Sequence, residues 1–282
     1  MTVRQIRSYG PLMGLSAYDL SGRTAFVTGA AGGIGRASAV LLAAAGAVVH
    51  CADIDEKGLA ETASLIRGTG GTAVTHTLDV TDRSQVRSAV ASTGGLDIVA
   101  AIAGIMHTST VLDTRDEDLD RVLAVNFKGV LYTCQEAARA MIASTGRQDD
   151  GPRPRDIGES RSRGSIITMA SGAVDAAQAG LLCYSVAKAA VVQLTRTLAT
   201  ELGPHAVRVN AVAPGWVRTP MTNRHEAGTQ QQIEAGLIRM SPLRRVGEPE
   251  DIAHSVLHLA SDASSFTTGQ IFRPNGGVAM PW

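Results

Sequence analysis

The chain has 282 residues, 44% of them hydrophobic, which is enough apolar material for one large α/β domain and excludes a disordered chain. Lys plus Arg and Asp plus Glu number 26 each, so no net charge is available to attract nucleic acid or an anionic membrane. The three cysteines have no CxxC spacing, no apolar run is long enough to cross a membrane, and the N-terminus lacks the apolar region of a signal peptide, which together predict a cytoplasmic protein.

Short apolar runs alternate with longer helical patterns along the chain, which is typical of a parallel sheet covered by helices on both faces. Seven strands are predicted, at residues 24–28, 47–52, 72–77, 96–102, 165–169, 207–212 and 270–272. No repeat and no linker divides the chain. The pattern therefore predicts a tail at 1–19 and one α/β domain at 20–282, a Rossmann-type doubly wound parallel sheet.

The first predicted strand runs into a glycine-rich turn, and a helical pattern follows it. Glycines let the backbone turn tightly against a pyrophosphate, whose charge is stabilised by N–H groups at the helix N-terminus. The contacts expected from this turn are Gly29, Gly32, Gly33, Ile34 and Gly35. Asp53 ends the second strand, where a carboxylate accepts hydrogen bonds from a ribose 2′-OH and repels a 2′-phosphate. The sequence thus predicts a dinucleotide site that prefers NAD(H) to NADP(H).

A long amphipathic helix is predicted after the fourth strand, with Thr114 and Glu117 as a capping box at its start. Asn126 falls on the apolar stripe of this helix, where its amide must find hydrogen-bond partners. Residues 146–164 follow, with one aliphatic side chain among many charges of both signs. Such a segment cannot bury enough apolar area to fold, so we expect an exposed charged insertion.

Tyr184 and Lys188 stand four residues apart at the start of another apolar helical pattern, so they share one helical face. A phenol titrates near ~10 in water. A neighbouring Lys⁺ and the positive ring of an oxidised nicotinamide would lower that pKa toward neutrality. Ser171, at the end of the fifth predicted strand, is placed to donate to a substrate oxygen. Downstream of a dinucleotide turn, this set predicts a general acid/base site.

These motifs, in this order, resemble those of the short-chain dehydrogenase/reductase family across residues 20–277. The matching segments are TGAAGGIG, Asp79-Val80, Ala103-Gly104, VNFKG around Asn126, Ser171, the Tyr184/Lys188 pair, RVNAVAPG from Arg208, and Asn275-Gly276-Gly277. The resemblance implies a catalytic tetrad of Asn126, Ser171, Tyr184 and Lys188. The further cofactor contacts that it implies are Asp79, Val80, Ala103, Gly104, Pro214, Gly215, Val217 and Thr219, with Tyr184 and Lys188. It also implies homotetramers built on the helices that carry Asn126 and Tyr184.

The sequence departs from the family pattern at the turn after the fourth strand. Where the family has Asn-Asn-Ala-Gly, residues 101–104 read Ala-Ile-Ala-Gly. Ile102 cannot make the hydrogen bonds through which the second Asn ties the family's sheet together. We therefore expect an effect on local stability and cofactor positioning at this turn.

Residues 216–246 resemble the lid over the family's substrate cleft, and their apolar side chains favour a largely apolar substrate. Arg218 and Arg224 are interpreted as solvated, with recognition of an acidic substrate group as the alternative. His107, just beyond the fourth strand, is a candidate for the substrate pocket. No set of side chains has metal-ligand spacing with a third ligand, so no metal is predicted.

The expected function is an NAD(H)-dependent oxidoreductase that interconverts a secondary alcohol and a ketone as its small-molecule substrate. Tyr184 would exchange the hydroxyl proton, Lys188 would lower the Tyr184 pKa, and Ser171 would orient the substrate oxygen. Asn126 would link Lys188 to solvent through ordered water. The FabG-like ending at 273–280 leaves a 3-oxoacyl-ACP/CoA reductase as the alternative, although such enzymes generally prefer NADPH. A catalytically silent NAD-binding regulator is the alternative from another class.

Overall fold

A computed structural model describes residues 16–143, 162–223 and 226–281. Seven parallel strands form one sheet in the order β3-β2-β1-β4-β5-β6-β7. The strands are β1 Thr24–Thr28, β2 Val48–Asp53, β3 Thr72–Thr77, β4 Ile98–Ala101, β5 Gly164–Met169, β6 Val207–Val212 and β7 Ile271–Phe272. The predicted doubly wound sheet is confirmed. The chain reverses its direction of winding between β1 and β4, and ligands of such sheets bind beyond the carboxyl ends of the strands at that point.

Eight α-helices are described, and they cover both faces of the sheet. They are α1 Gly33–Ala44, α2 Glu56–Gly68, α3 Arg83–Ala91, α4 Asp116–Leu123, α5 Val130–Ala143, α6 Leu182–Leu202, α7 Ala227–Met240 and α8 Pro249–Ala260. One apolar cluster packs the sheet against α1, α2 and α8, and a second packs it against α3, α5 and α6. Burial on both faces explains why β1 and β4 read as nearly continuous apolar runs.

The helix expected from the Thr114/Glu117 pattern differs from the prediction in two ways. The capping box is wrong, because α4 begins at Asp116 with Arg115 as its N-cap residue. The Thr114 hydroxyl instead donates to the carbonyl of Thr110 at 2.8 Å. A six-residue π-helical segment, Ala124–Gly129, also separates α4 from α5, and periodicity alone does not reveal such a widened turn.

Two predicted segments lie wholly or largely beyond the described ranges. Residues 1–15 include most of the predicted tail, and residues 144–161 include most of the predicted charged insertion. The predicted lid, 216–246, contains the helix α7. Among the described helices, none has the length and hydropathy that would allow it to cross a membrane.

Candidate active site

The turn between β1 and α1 takes its shape from close backbone approaches. Gly29 has a positive φ of 73°, and a Cβ there would lie 2.9 Å from Ala103 Cα. A Cβ on Gly35 would collide with the carbonyl of Gly29. Both positions therefore require glycine, because α1 begins directly against the turn that precedes it.

The same turn leaves room for a ligand at the start of α1. Gly32 is the N-cap residue, and a Cβ built on it would meet no atom within 4 Å. No side chain of the described residues caps this end of α1, so its first N–H groups are available to an anion. Gly33 lies close to the predicted lid segment, since a Cβ there would be 3.2 Å from the side chain of Thr219. Ile34 anchors the turn by packing against the apolar core.

Asp53 stands at the carboxyl end of β2, beside the glycine turn. Its Oδ2 accepts a hydrogen bond from the N–H of Ala31 at 3.1 Å, and its Oδ1 accepts one from the N–H of Asp55 at 3.1 Å. The carboxylate is thereby held at the place that the sequence predicts for ribose recognition. It keeps unused lone pairs, because an ionised carboxylate has about four acceptor positions.

The turn after β4 is held by hydrogen bonds that its backbone N–H groups donate to the Thr28 side chain. The Thr28 hydroxyl accepts hydrogen bonds from the N–H groups of Ile102 at 3.1 Å and Ala103 at 3.2 Å. The Ile102 side chain packs against the apolar core instead. Gly104 follows, and a Cβ on it would lie 3.2 Å from Asn126 Oδ1 and 3.5 Å from Lys188 Nζ. A small residue at 104 thus lets the two polar side chains come together.

Tyr184 lies in the first turn of α6 and is 9% exposed. Burial raises the pKa of its phenol, and a hydrogen bond with the Ser171 hydroxyl acts in the opposite direction. Ser171 begins the short helical turn after β5, and its Oγ accepts from the N–H of Ala173 at 3.2 Å. The Ser171 hydroxyl thus lies close enough to the Tyr184 phenol to favour its ionised form. In the chain alone, burial is the leading influence on the Tyr184 pKa.

Lys188 stands one helical turn after Tyr184 and is 3% exposed. Its Nζ donates to the carbonyl of Met169 at 2.7 Å and lies 5.7 Å from the centre of the Tyr184 ring. Burial lowers the pKa of Lys188 to about 8. A buried ammonium beside a phenol favours the ionised form of that phenol.

Asn126 is fully buried in the π-helical segment, and its amide has found partners as the sequence requires. Its Oδ1 accepts from the N–H of Ile105 at 2.8 Å, and its Nδ2 donates to the carbonyl of Ile105 at 2.8 Å. The side chain thus ties the widened helical turn to the segment after β4. One N–H and one lone pair of the amide remain beyond these two bonds.

The other predicted cofactor contacts also lie at the carboxyl ends of strands. After β3, the Asp79 carboxylate accepts from the N–H of Thr81, and Val80 is 7% exposed. After β6, the carbonyl of Pro214 accepts from the N–H of Gly172 at 2.8 Å, which joins this turn to the segment after Ser171. Gly215 also lies in this turn, Val217 pairs with Gly247, and the N–H of Thr219 donates to Thr222.

Three side chains were candidates for contact with the substrate: Arg218, His107 and Arg224. Arg218 forms ion pairs with Glu234 at 2.8 Å and Glu248 at 2.6 Å, so it joins α7 to α8 and is not simply solvated. His107 Nε2 lies 3.7 Å from Asp118 Oδ2, which is too long for a hydrogen bond. Arg224 lies outside the described residues.

Sequence reasoning missed the atoms that hold the predicted residues in place. Examples are the Thr28 hydroxyl, the Met169 carbonyl and Gly58, where a Cβ would lie 2.7 Å from the carbonyl oxygen of Ala31. Gly58 carried a signal, since a glycine inside a helix usually has a packing reason. The Thr28 hydroxyl and the Met169 carbonyl carried no such signal, because nothing in the sequence distinguishes them from other hydroxyls and carbonyls.

The chain is similar in sequence to a known protein family and to several of its relatives. A family model described as short chain dehydrogenase matches residues 23–230. The chain is 35% identical over 265 residues to a 3-oxoacyl-[acyl-carrier-protein] reductase of Thermotoga maritima. The match covers 93% of this chain and 99% of the relative. It is also 35% identical over 277 residues to a (3R)-3-hydroxyacyl-CoA dehydrogenase of Canis lupus familiaris, with 94% of this chain and 99% of the relative covered.

Solved structures agree with this result. A short-chain type dehydrogenase/reductase from Mycobacterium marinum is 37% identical with a TM-score of 0.83, covering 95% of this chain and 99% of that one. A structure from Agrobacterium tumefaciens with bound NADP is 32% identical with a TM-score of 0.80, covering 93% of this chain and 98% of that one. With the doubly wound sheet and these matches together, the chain belongs to the short-chain dehydrogenase family, whose members are oxidoreductases that bind a nicotinamide cofactor.

Proposed function

We propose that this chain interconverts a secondary alcohol and a ketone with NAD(H) as its redox partner, and that Tyr184 is the general acid/base. The observation that carries the proposal is the grouping of three side chains at one point, two of them buried. The Ser171 hydroxyl lowers the pKa of the Tyr184 phenol by hydrogen bonding, and the Lys188 ammonium lies 5.7 Å from the centre of the phenol ring. A phenol, a hydroxyl donor and a cation are what proton exchange with an alcohol or carbonyl oxygen requires.

The donors and spaces at the glycine turn fit a dinucleotide. The position of a Cβ at Gly32 is open, the start of α1 presents N–H groups, and Asp53 keeps acceptor positions for a ribose hydroxyl. We propose contacts from the whole predicted set: Gly29, Gly32, Gly33, Ile34, Gly35, Asp53, Asp79, Val80, Ala103, Gly104, Tyr184, Lys188, Pro214, Gly215, Val217 and Thr219. When bound, the nicotinamide ring supplies the hydride that no protein side chain can supply.

The side chains have separate tasks in this mechanism. In ketone reduction, Ser171 donates a hydrogen bond to the carbonyl oxygen while Tyr184 Oη gives its proton to the same oxygen. Lys188 stabilises the resulting phenolate by its positive charge. Asn126 holds the segment after β4 beside Lys188, and its remaining N–H and lone pair support a proton path toward solvent. Alcohol oxidation runs the same proton transfer in reverse.

The organisation of the chain also enters the proposal. We propose that residues 20–282 are one catalytic domain in which 216–246 serve as a lid. The ion pairs of Arg218 support the lid assignment, because they join α7 to the body of the domain. We place the protein in the cytoplasm as a homotetramer. Cys51, Cys134 and Cys183 are free and buried, which fits a reducing compartment.

A 3-oxoacyl-ACP/CoA reductase is the second candidate function. Two relatives are named for acyl thioester chemistry, and one structural neighbour holds NADP. Asp53 favours NAD(H), because its charge repels a 2′-phosphate. Cofactor preference and turnover of acetoacetyl thioesters therefore distinguish the two candidates. Binding of NADH without turnover of any carbonyl would instead indicate a silent regulator.

The test is oxidation of NADH and NADPH by the purified protein over aliphatic, cyclic and thioester ketones. We expect turnover with NADH on simple or cyclic ketones. Tyr184→Phe should reduce turnover by about 10²–10⁴-fold, the usual contribution of a positioned acid/base group, with NADH affinity unchanged. Tyr132→Phe is the matched control. The Tyr132 ring lies on α5 and packs under Arg83 of α3, so this variant should keep full activity. Unchanged turnover in Tyr184→Phe would refute the assignment.

A further inference from the structure

Two carbonyls of the glycine turn are held by side chains of the helices that follow it. The carbonyl of Ala30 accepts a hydrogen bond from the Thr62 hydroxyl at 2.8 Å, and the carbonyl of Ala31 accepts one from the Arg36 guanidinium. The N–H of Ala31 donates to the Asp53 carboxylate. Ala31 is thus bound through both of its backbone groups, and one of these bonds ends on the carboxylate proposed to recognise the ribose.

Arg36 and Thr62 act as one unit. Arg36 Nε donates to the Thr62 hydroxyl at 3.0 Å, and that hydroxyl lies within donating distance of the carbonyls of Ala30 at 2.8 Å and Gly58 at 3.0 Å. The Arg36 guanidinium also contacts the carbonyl of Gly58 at 3.3 Å and the Glu61 carboxylate at 2.9 Å. Thr62 is fully buried, so its hydroxyl has no water to replace a lost partner.

The helix α2 is pressed closely against this turn. A Cβ on Gly58 would lie 2.7 Å from both the carbonyl oxygen and the Cβ of Ala31. Only glycine allows that approach, which brings Gly58 and Thr62 within reach of Arg36. This close approach of the Gly58 backbone leaves Ala31 little freedom to shift while Arg36 and Thr62 stay bonded.

We propose that Arg36 and Thr62 are positioning residues for the dinucleotide: by holding Ala30 and Ala31, they fix the Asp53 carboxylate and so set the preference for a free ribose 2′-OH over a 2′-phosphate. This inference rests on the proposed function, in which the turn and Asp53 bind NAD(H). The rival role for an arginine at this place is reception of the 2′-phosphate itself. The guanidinium contacts argue against that role, because Nε and Nη2 are engaged by protein acceptors and the Glu61 carboxylate offsets the positive charge that a phosphate would require.

The experiment is fluorescence titration of Arg36→Gln and Thr62→Val with NADH and with NADPH. Each variant should bind NADH about tenfold more weakly, the effect of losing one hydrogen bond to a charged or buried group. Affinity for NADPH should change less, so the ratio of the two dissociation constants should fall. Thr62→Ser keeps the hydroxyl and should retain the wild-type ratio. Arg67→Gln is the matched control on α2, because the Arg67 side chain bonds the carbonyl of Ala73 in β3 and its loss should change neither constant.

A double variant tests whether the two side chains form one unit. Arg36→Gln/Thr62→Val should weaken NADH binding by less than the product of the two single effects. If Thr62→Val does not fold, as judged by circular dichroism, Arg36→Lys gives the same test, since an ammonium cannot reproduce the planar fork that binds Thr62 and Ala31 together.

Three results separate the possible failures. An unchanged NADH-to-NADPH ratio in folded Arg36→Gln and Thr62→Val would overturn the inference. A selective loss of NADPH affinity in Arg36→Gln would overturn it in favour of phosphate reception. If the wild type binds neither cofactor, or if Asp53→Ala binds both as the wild type does, the proposed function itself fails.

Discussion

Burial controls the charge of the two proposed catalytic groups on α6. It raises the pKa of Tyr184, and it lowers the pKa of Lys188 to about 8. At pH 7 the ammonium is therefore still mostly protonated, while the phenol is neutral. Under our proposal, ionisation of the phenol draws on Lys188 and on the positive ring of an oxidised nicotinamide together.

Under our proposal Asp53 is the residue that repels a 2′-phosphate, and its part in the cofactor preference is directly testable. Asp53→Ser removes the charge that repels a 2′-phosphate and shortens the acceptor of the ribose hydroxyl. We expect the NADH dissociation constant to rise about tenfold and that of NADPH to fall, as measured by fluorescence titration. Asp55→Asn is the control, because Asp55 caps α2 and is expected to leave the cofactor ratio unchanged. An unaltered ratio in Asp53→Ser would show that recognition lies elsewhere.

At the scale of an element, the turn after β4 shows how this chain does without the family's asparagine. The Thr28 hydroxyl accepts both the Ile102 and the Ala103 N–H groups, so backbone bonds hold the turn whatever side chain stands at 102. The Ile102 side chain packs on the apolar core. In place of the hydrogen bonds of the family's asparagine, the turn is held by the packing of Ile102 and by the hydrogen bonds to the Thr28 hydroxyl.

This arrangement predicts the result of restoring the family's residue. Ile102→Asn would place an amide against apolar side chains that have no hydrogen bonds to offer, which costs about 1–3 kcal/mol in proteins. We expect the free energy of unfolding in urea to fall by that order. Ile102→Val, which keeps an apolar side chain, is the control and should cost about 0.5–1.5 kcal/mol. Stabilisation by Ile102→Asn would mean that hidden polar partners exist at this turn.

At the scale of the whole molecule, two histidines join neighbouring strands near one edge of the sheet. His50 on β2 is 6% exposed, and its Nδ1 lies 2.9 Å from Nε2 of His76 on β3. Burial lowers the pKa of both imidazoles, and for His50 the neighbouring His76 lowers it further. The folded state therefore binds protons less readily than the unfolded state.

The sign of the resulting pH dependence is fixed by these shifts. The contribution of both histidines to stability is complete above the unfolded pKa of about 6.5 and is lost as pH falls below it. We expect the free energy of unfolding to decrease between pH 7.5 and 5.5, and His76→Gln to flatten that slope. His254→Gln, at an exposed position on α8, should leave the slope as it is. A slope unaffected by His76→Gln would assign the effect to other groups.

Assembly is the second prediction at this scale. On α6, Val186 is an apolar side chain that is 47% exposed, on a helix that the family resemblance places in a subunit interface. If the homotetramer forms there, Val186→Asp should give smaller species in size-exclusion chromatography with light scattering, since a charge in an interface core is unfavourable. Leu65→Asp on α2, at a side chain that is 51% exposed, is the matched control and should keep the wild-type mass. A tetramer that survives Val186→Asp would exclude α6 from the interface.

The sequence by itself determined the order of strands and helices, the single doubly wound sheet and the residues of the candidate site. Strands buried on both faces are apolar throughout, and glycines that meet backbone have no substitute, so both leave marks in the sequence. Tertiary structure alone decided the π-helical segment around Asn126, the failure of Thr114 as a cap, and the packing of Ile102. It also decided the bonds of Arg36 and Thr62 to the glycine turn. Such features depend on which distant backbone groups come within about 3 Å, and no local pattern carries that information.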